Sequence, residues 1–164
     1  MTARAVLFAI TDNDLSQLQA ATTDRERINY VREVIEERWE HGYLCELDKA
    51  WDALHRSLTD GRLDFGNGTF PLNAAVLGAV RLTTDDSYII TLTPRQMVTA
   101  VSDALASVTE ADIRRGYRSI DPSDYGPEYG DDDLTYTLGW FEELPAFWKK
   151  AAATGRSVIF TVDQ

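Results

Sequence analysis

The residues with the greatest chemical capacity in this chain crowd into one short run, LDKAWDALHRSLTD, residues 47–60. It carries Asp48, Trp51, Asp52, His55 and Arg56, and His55 is one of only 2 histidines in the protein. Were residues 41–58 a single helix, His41, Cys45, Asp48, Asp52 and His55 would recur at spacings of four and three and share one face. A thiol with an imidazole beside it as base, and a carboxylate orienting that base, is an arrangement for nucleophilic catalysis. Two residues argue against it. Gly42 weakens a helix at that point, and Asp48 has the chemistry of an N-cap or first-turn residue. With the helix beginning at Asp48, His41 and Cys45 leave the stripe. Asp52 and His55 remain three apart, with Arg56 four beyond Asp52. A small hydrolase or transferase built here would use Asp52 and His55 in a cleft.

A purely structural account covers the same residues and is preferred. Trp51 fills core volume and hands its indole N–H to a neighbouring backbone carbonyl. Asp52 pairs with Arg56 across one helical turn, a contact worth about 0.2–0.5 kcal/mol. His55 hydrogen-bonds a loop backbone, for instance that of the glycine-rich turn that follows, and Cys45 is a small buried hydrophobe. A second candidate is the acidic loop SIDPSDYGPEYGDDD, residues 119–133, where Tyr125 and Tyr129 act as loop anchors or as contact residues. The binding set is then Asp48, Trp51, Asp52, His55, Arg56, Tyr125 and Tyr129.

The elements that must position these residues follow from periodicity. RAVLFAIT (4–11), SYIITLT (87–93) and RSVIFTVDQ (156–164) read as buried strands. DNDLSQLQAAT (12–22) and residues 24–40 read as helices, the second with Ile28, Val31, Ile35 and Trp39 on one face. Leu47, Trp51, Leu54 and Leu58 make the apolar stripe of the central helix. A loop dense in Gly, Asp and Asn follows, and PLNAAVLGAV (71–80) reads as a short helix with Pro71 in its first turn. Thr93 and Gln96 form a capping-box pattern around Pro94. Thr109 and Glu110 open another short helix, and residues 134–155 form two helical pieces broken at Pro145 and ended at Gly155. The three aspartates 131–133 suit a helix N-terminus. Strands separated by helices imply one sheet with helices packed on it.

Composition bounds the functional classes. A chain of 164 residues suits one domain, here 1–164, with room for a core without disulfides or metals. A net charge of −11 disfavours nucleic acid and anionic membranes and leaves a basic protein partner open. No apolar run is long enough to cross a bilayer, and the N-terminal apolar run reads as a strand rather than a leader. A single cysteine fits a reducing, cytoplasmic compartment. No phosphate loop, paired-cysteine zinc pattern, helical histidine pair or nucleophile elbow is present, so no metal and no cofactor is expected.

Certain residues also carry a resemblance. Asp48, Lys49, Trp51, Asp52, Leu54 and His55, followed by Pro71, Leu72, Leu77 and Gly78, resemble the pattern of the YfbM-like proteins, a bacterial domain family of unknown function. The C-terminal AAATGRSVIFTVD is similar as well. The resemblance spans nearly the whole chain. Its specific part is the tryptophan-to-histidine run, and the loop at 121–133 is where the match stops. It implies a three-layer α/β fold around a mixed sheet, and no activity, catalytic residue or cofactor. Family members that look like components of toxin–immunity neighbourhoods support a binding role, immunity-like in kind. The reading is a non-catalytic, acidic interaction protein. The alternatives are a small enzyme around Asp52 and His55, or a small-ligand-binding domain with the 61–70 loop as lid.

Overall fold

The computed structural model describes residues 3–164; Met1 and Thr2, the start of the N-terminal segment weighed above as a leader, lie outside them. Strands β1 (Arg4–Ile10), β2 (Leu44–Asp48), β3 (Val80–Arg81), β4 (Tyr88–Thr93) and β5 (Ser157–Asp163) form one sheet in the order β2-β1-β5-β4-β3. Every neighbouring pair is antiparallel. The expected mixed sheet is therefore corrected. The C-terminal strand enters between β1 and β4 and runs opposite to both, so no parallel pair forms. As the central strand, β5 is buried on both faces over Ser157–Val162, which explains its unbroken apolar run.

Helices and sheet meet in two clusters of buried side chains. Phe8, Ile10, Tyr88, Ile90, Leu92 and Ile159 face one core with Leu18, Val31 and Ile35. These last come from α1 (Asp12–Ala20) and from α2 (Asp24–Tyr30) with its wider-turned continuation Val31–Glu36. The opposite face, with Leu7, Leu47, Phe160 and Val162, meets the larger core. That core is supplied by α3 (Trp51–Leu58), α4 (Arg95–Ala106), α5 (Glu110–Arg118), α7 (Asp131–Phe141) and α8 (Leu144–Ala153). The remaining helix, α6 (Pro122–Tyr125), is a single turn in the acidic loop.

Local chemistry sets the boundaries. Thr11 and Thr109 cap α1 and α5 through reciprocal bonds with Asp14 and Asp112, satisfying amides that lack a helical partner. Gly155, at φ +66, ends α8 in a conformation that favours glycine.

Several expectations are corrected. Residues 44–48 are a strand, and the central helix begins at Trp51 rather than Asp48. Cys45 and Leu47 alternate inward with Glu46 outward, a period of two that five residues are too few to advertise. The 71–80 segment makes only a tight turn at Leu72–Ala74 and then joins the sheet at Val80. Its break falls at Gly78, at φ +74, where an added Cβ would lie 2.1 Å from the Thr91 hydroxyl oxygen. Pro94, not Thr93, is the N-cap of α4, and no side chain caps that helix.

Candidate functional site

A bulge builds one wall of the site. Ala5 faces Asp48 but Val6 faces Glu46, so Leu47 is the inserted residue in β2. Asp48 follows at φ +46, a conformation rare for a residue with a side chain. Its carboxylate accepts a short hydrogen bond from the Tyr136 hydroxyl and an ion pair from Arg4 at 3.1 Å. The Lys49 amide donates to the same Tyr136 oxygen at 3.3 Å. Strand end and α7 are thus joined at one phenol.

The floor comes from α3. Trp51 is 9% exposed and donates its indole N–H to the Ala3 carbonyl at 3.1 Å, while its ring lies 5.8 Å from Phe160. One residue on, Asp52 accepts from the Arg56 Nε at 2.6 Å. Burial pushes the Asp52 carboxyl above the ordinary carboxylate range, and Arg56 opposes that shift. Arg56 itself is 6% exposed. It also donates to Asp124 at 2.6 Å and to the Gly61 carbonyl at 3.3 Å, with its guanidinium 5.4 Å from the Tyr125 ring centre. One side chain therefore ties α3 to the turn before residue 62 and to the acidic loop.

That loop forms the far wall. Tyr129 stacks on Tyr117 at 5.0 Å with planes 9° apart, and Tyr125 meets both edge-on. The hydroxyls of Tyr117 and Tyr125 donate to the same oxygen of Asp133, at 2.7 and 2.8 Å. Burial, then the Asp133 carboxylate, push the Tyr125 phenol well above its ordinary value, so it stays a neutral donor.

Between these walls lies a cleft of about 590 Å³. Asp48, Asp52, Glu128 and Asp133 bring carboxylates to it; Trp51, Tyr125 and Tyr136 bring rings; Lys49 is its one cationic lining residue among the described residues. Of the residues singled out in sequence, Asp48, Trp51, Asp52 and Tyr125 line it directly. Arg56 and Tyr129 support its walls from behind. Tyr136, Glu128 and Leu63 were missed. Tyr136 was legible in principle, because Asp133, Tyr136 and Trp140 recur at three and four on α7.

His55 does not join them. It is 1% exposed, lies outside the cleft lining, and its Nε2 sits 2.7 Å from the Asn67 side-chain oxygen. Asn67 in turn donates to Thr59, Asp60 and the Arg62 carbonyl. His55 thus pins the 59–70 turn through one amide. Burial pushes its imidazole below the ordinary value, against the bond to Asn67. Among the described residues, Asp52 and His55 share a helix but not a cavity. Nor do three or more His, Cys, Asp or Glu side chains gather there as a metal would need. No helix among them is long and apolar enough to cross a membrane.

Comparison with known proteins bears on the fold. The chain resembles the crystallised protein of unknown function YfbM from Escherichia coli, with a TM-score of 0.65 at 20% identity over 97% of this chain and 99% of that one. No curated protein matches the sequence. A family described as a domain of unknown function, DUF1877, matches residues 1–161. The pattern seen around Trp51, the single α/β domain and the likeness to YfbM agree: this chain belongs to the YfbM-like DUF1877 family of unknown function.

Proposed function

We propose that the protein is a non-catalytic binding protein whose cleft receives a cationic group from a basic protein partner, in an immunity-like role. The observation that carries this reading is the cleft's composition: among the described residues it is lined by four carboxylates, three aromatic rings and one lysine, and while Asp48 and Asp52 are paired with Arg4 and Arg56, Glu128 and Asp133 have no ion-pair partner. Carboxylates accept hydrogen bonds from ammonium or guanidinium, and ring faces attract the same cations. Arg56 already occupies such a setting inside the molecule, between Asp52, Asp124 and the Tyr125 ring. The net charge of −11 extends the attraction beyond contact distance. A reducing, cytoplasmic setting suits the lone buried Cys45. The two cores, one on each face of the sheet, support a three-layer reading of the fold.

A calorimetric titration with an arginine- and lysine-rich peptide tests the proposal. Binding is expected at low salt and should weaken as salt rises. Joint Glu128→Gln and Asp133→Asn substitution should weaken it on the order of tenfold, about 1.4 kcal/mol. Asp86→Asn with Asp103→Asn, outside the cleft, removes the same formal charge and should leave affinity nearly unchanged. Equal losses from both pairs would mean that only overall charge attracts the peptide, and the cleft reading would fall.

A further inference from the structure

The turn after α3 holds an asparagine followed directly by a glycine, Asn67–Gly68. In such a pair the backbone nitrogen of the glycine can attack the side-chain amide carbon before it, because no Cβ on the second residue blocks the approach. The fold demands both residues. Gly68 sits at φ +75, where a side chain is strained, and an added Cβ would lie 2.7 Å from the Thr59 Cγ2. Asn67 is 6% exposed and joins the turn together. Its Nδ2 donates to the Asp60 carboxylate at 2.5 Å, the Arg62 carbonyl at 2.8 Å and the Thr59 hydroxyl oxygen at 3.3 Å. Its Oδ1 lies 2.7 Å from the His55 Nε2. Nδ2 faces only acceptors, so Oδ1 is the end left for the imidazole, and Nε2 carries the proton.

The network that needs this amide also restrains it. Ring closure makes the side-chain carbon tetrahedral and expels Nδ2, so the bonds held by that nitrogen are lost on the way. Asp60 is ionised beside it: bonds from Arg62 and Asn67 hold its carboxyl down to about 2. A carboxylate in place of the amide would turn an acceptor oxygen toward Asp60, the Arg62 carbonyl and Thr59. The Thr59 proton is committed to the His55 carbonyl at 2.7 Å and is not free to help. Like charges and unmatched acceptors at such distances are costly.

We propose that Asn67 is a self-modifying site gated by the fold: when the 59–70 turn opens, its amide cyclises on Gly68 and hydrolyses to aspartate or isoaspartate, and the turn cannot re-form around the product. In the first step the Gly68 nitrogen loses its proton and bonds to the Asn67 Cγ. The Cγ–Nδ2 bond breaks, and the nitrogen takes up a proton and leaves as ammonia. Water then opens the succinimide at either carbonyl. The consequence reaches the acidic cleft, because this turn carries Leu63 to its lining and the Gly61 carbonyl to Arg56. This holds whatever the cleft binds.

The full chain, held in mildly alkaline buffer with or without urea and then cut with trypsin, gives the rate at each asparagine from the mass gained on exchanging NH2 for OH. In urea, Asn67 should convert faster than Asn73 in the same peptide, whose neighbour Ala74 carries a Cβ, and both aspartate and isoaspartate forms should appear. In the folded chain Asn67 should convert at least about tenfold more slowly, as for a turn open less than about a tenth of the time. Asp60→Ala removes one acceptor; it should speed the folded rate about fivefold, the margin of one hydrogen bond, and leave the rate in urea unchanged. Asn67→Asp should lower the urea midpoint, and adding Asp60→Asn should restore part of it. Where Asn67→Asp alone does not fold, the double variant should. An Asn67 that outlasts Asn73 in urea, that converts equally fast folded and unfolded, or that ignores Asp60→Ala would overturn the gated site. An Asn67→Asp midpoint equal to the native one, or a double variant no more stable than Asn67→Asp, would overturn the block to re-formation.

Discussion

Burial decides the chemistry of single residues. Cys45 is 1% exposed, and burial pushes its thiol up to about 12. The thiolate is the reactive form, so Cys45 is inert in the folded chain. A thiol reagent should label it only at the rate of unfolding, and fast labelling under native conditions would contradict the burial. His55 gives a pH dependence with a definite sign. Its folded value lies below the ordinary 6.5, so the unfolded chain takes up a proton before the folded one does. That contribution to stability is present above pH 6.5 and declines as pH falls below it. Urea midpoints measured across this range should drop for the native protein and less for His55→Gln. An equal drop in the variant would assign the effect elsewhere. The sequence exposed His55 as a polar residue on a helix near a turn. It could not expose that Asn67, twelve residues away, would be its partner.

Two glycines inside helices behave oppositely at the level of elements. By intrinsic propensity, replacing a helical glycine with alanine gains about 1 kcal/mol. At Gly139, in α7, an added Cβ meets nothing within 4 Å, so Gly139→Ala should stabilise the protein by about 0.5–1 kcal/mol. At Gly116, in α5, the added Cβ would lie 2.0 Å from the Ser57 carbonyl oxygen. The obstruction is the backbone of α3, which cannot swing aside, so the two helices must separate. Gly116→Ala should therefore destabilise by about 1–3 kcal/mol, the usual cost of overpacking, despite its better propensity. Thermal or urea unfolding of both variants checks the pair. A stabilised Gly116→Ala would show that α3 and α5 are not held at this distance. The two helix-forming segments are readable from their periods. Their close approach is a property of the pair, and neither segment carries it alone.

Charge acts at the scale of the whole molecule. A chain of net charge −11 attracts a basic partner over about a Debye length, near 8 Å at physiological ionic strength. The salt dependence of binding should fall mainly on the association rate, with dissociation changing little. Stopped-flow mixing with the basic peptide checks this, and a salt effect carried by dissociation would point to buried contacts instead.

The sequence by itself determined the acidity, the three long strands, most helices and several local pairings. The Asp52–Arg56 contact, one helical turn apart, is an example. All of these rest on composition or on spacings of two, three and four within one segment. Only the tertiary structure decided that β5 would enter between β1 and β4, making the sheet antiparallel throughout. It also decided that Asp48 would leave the helix for a strand end and meet Tyr136, 88 residues away. It placed Asp52 in a cleft with Tyr125 and left His55 buried outside it. Strand order and long-range partners depend on how segments close on one another, which no local period records.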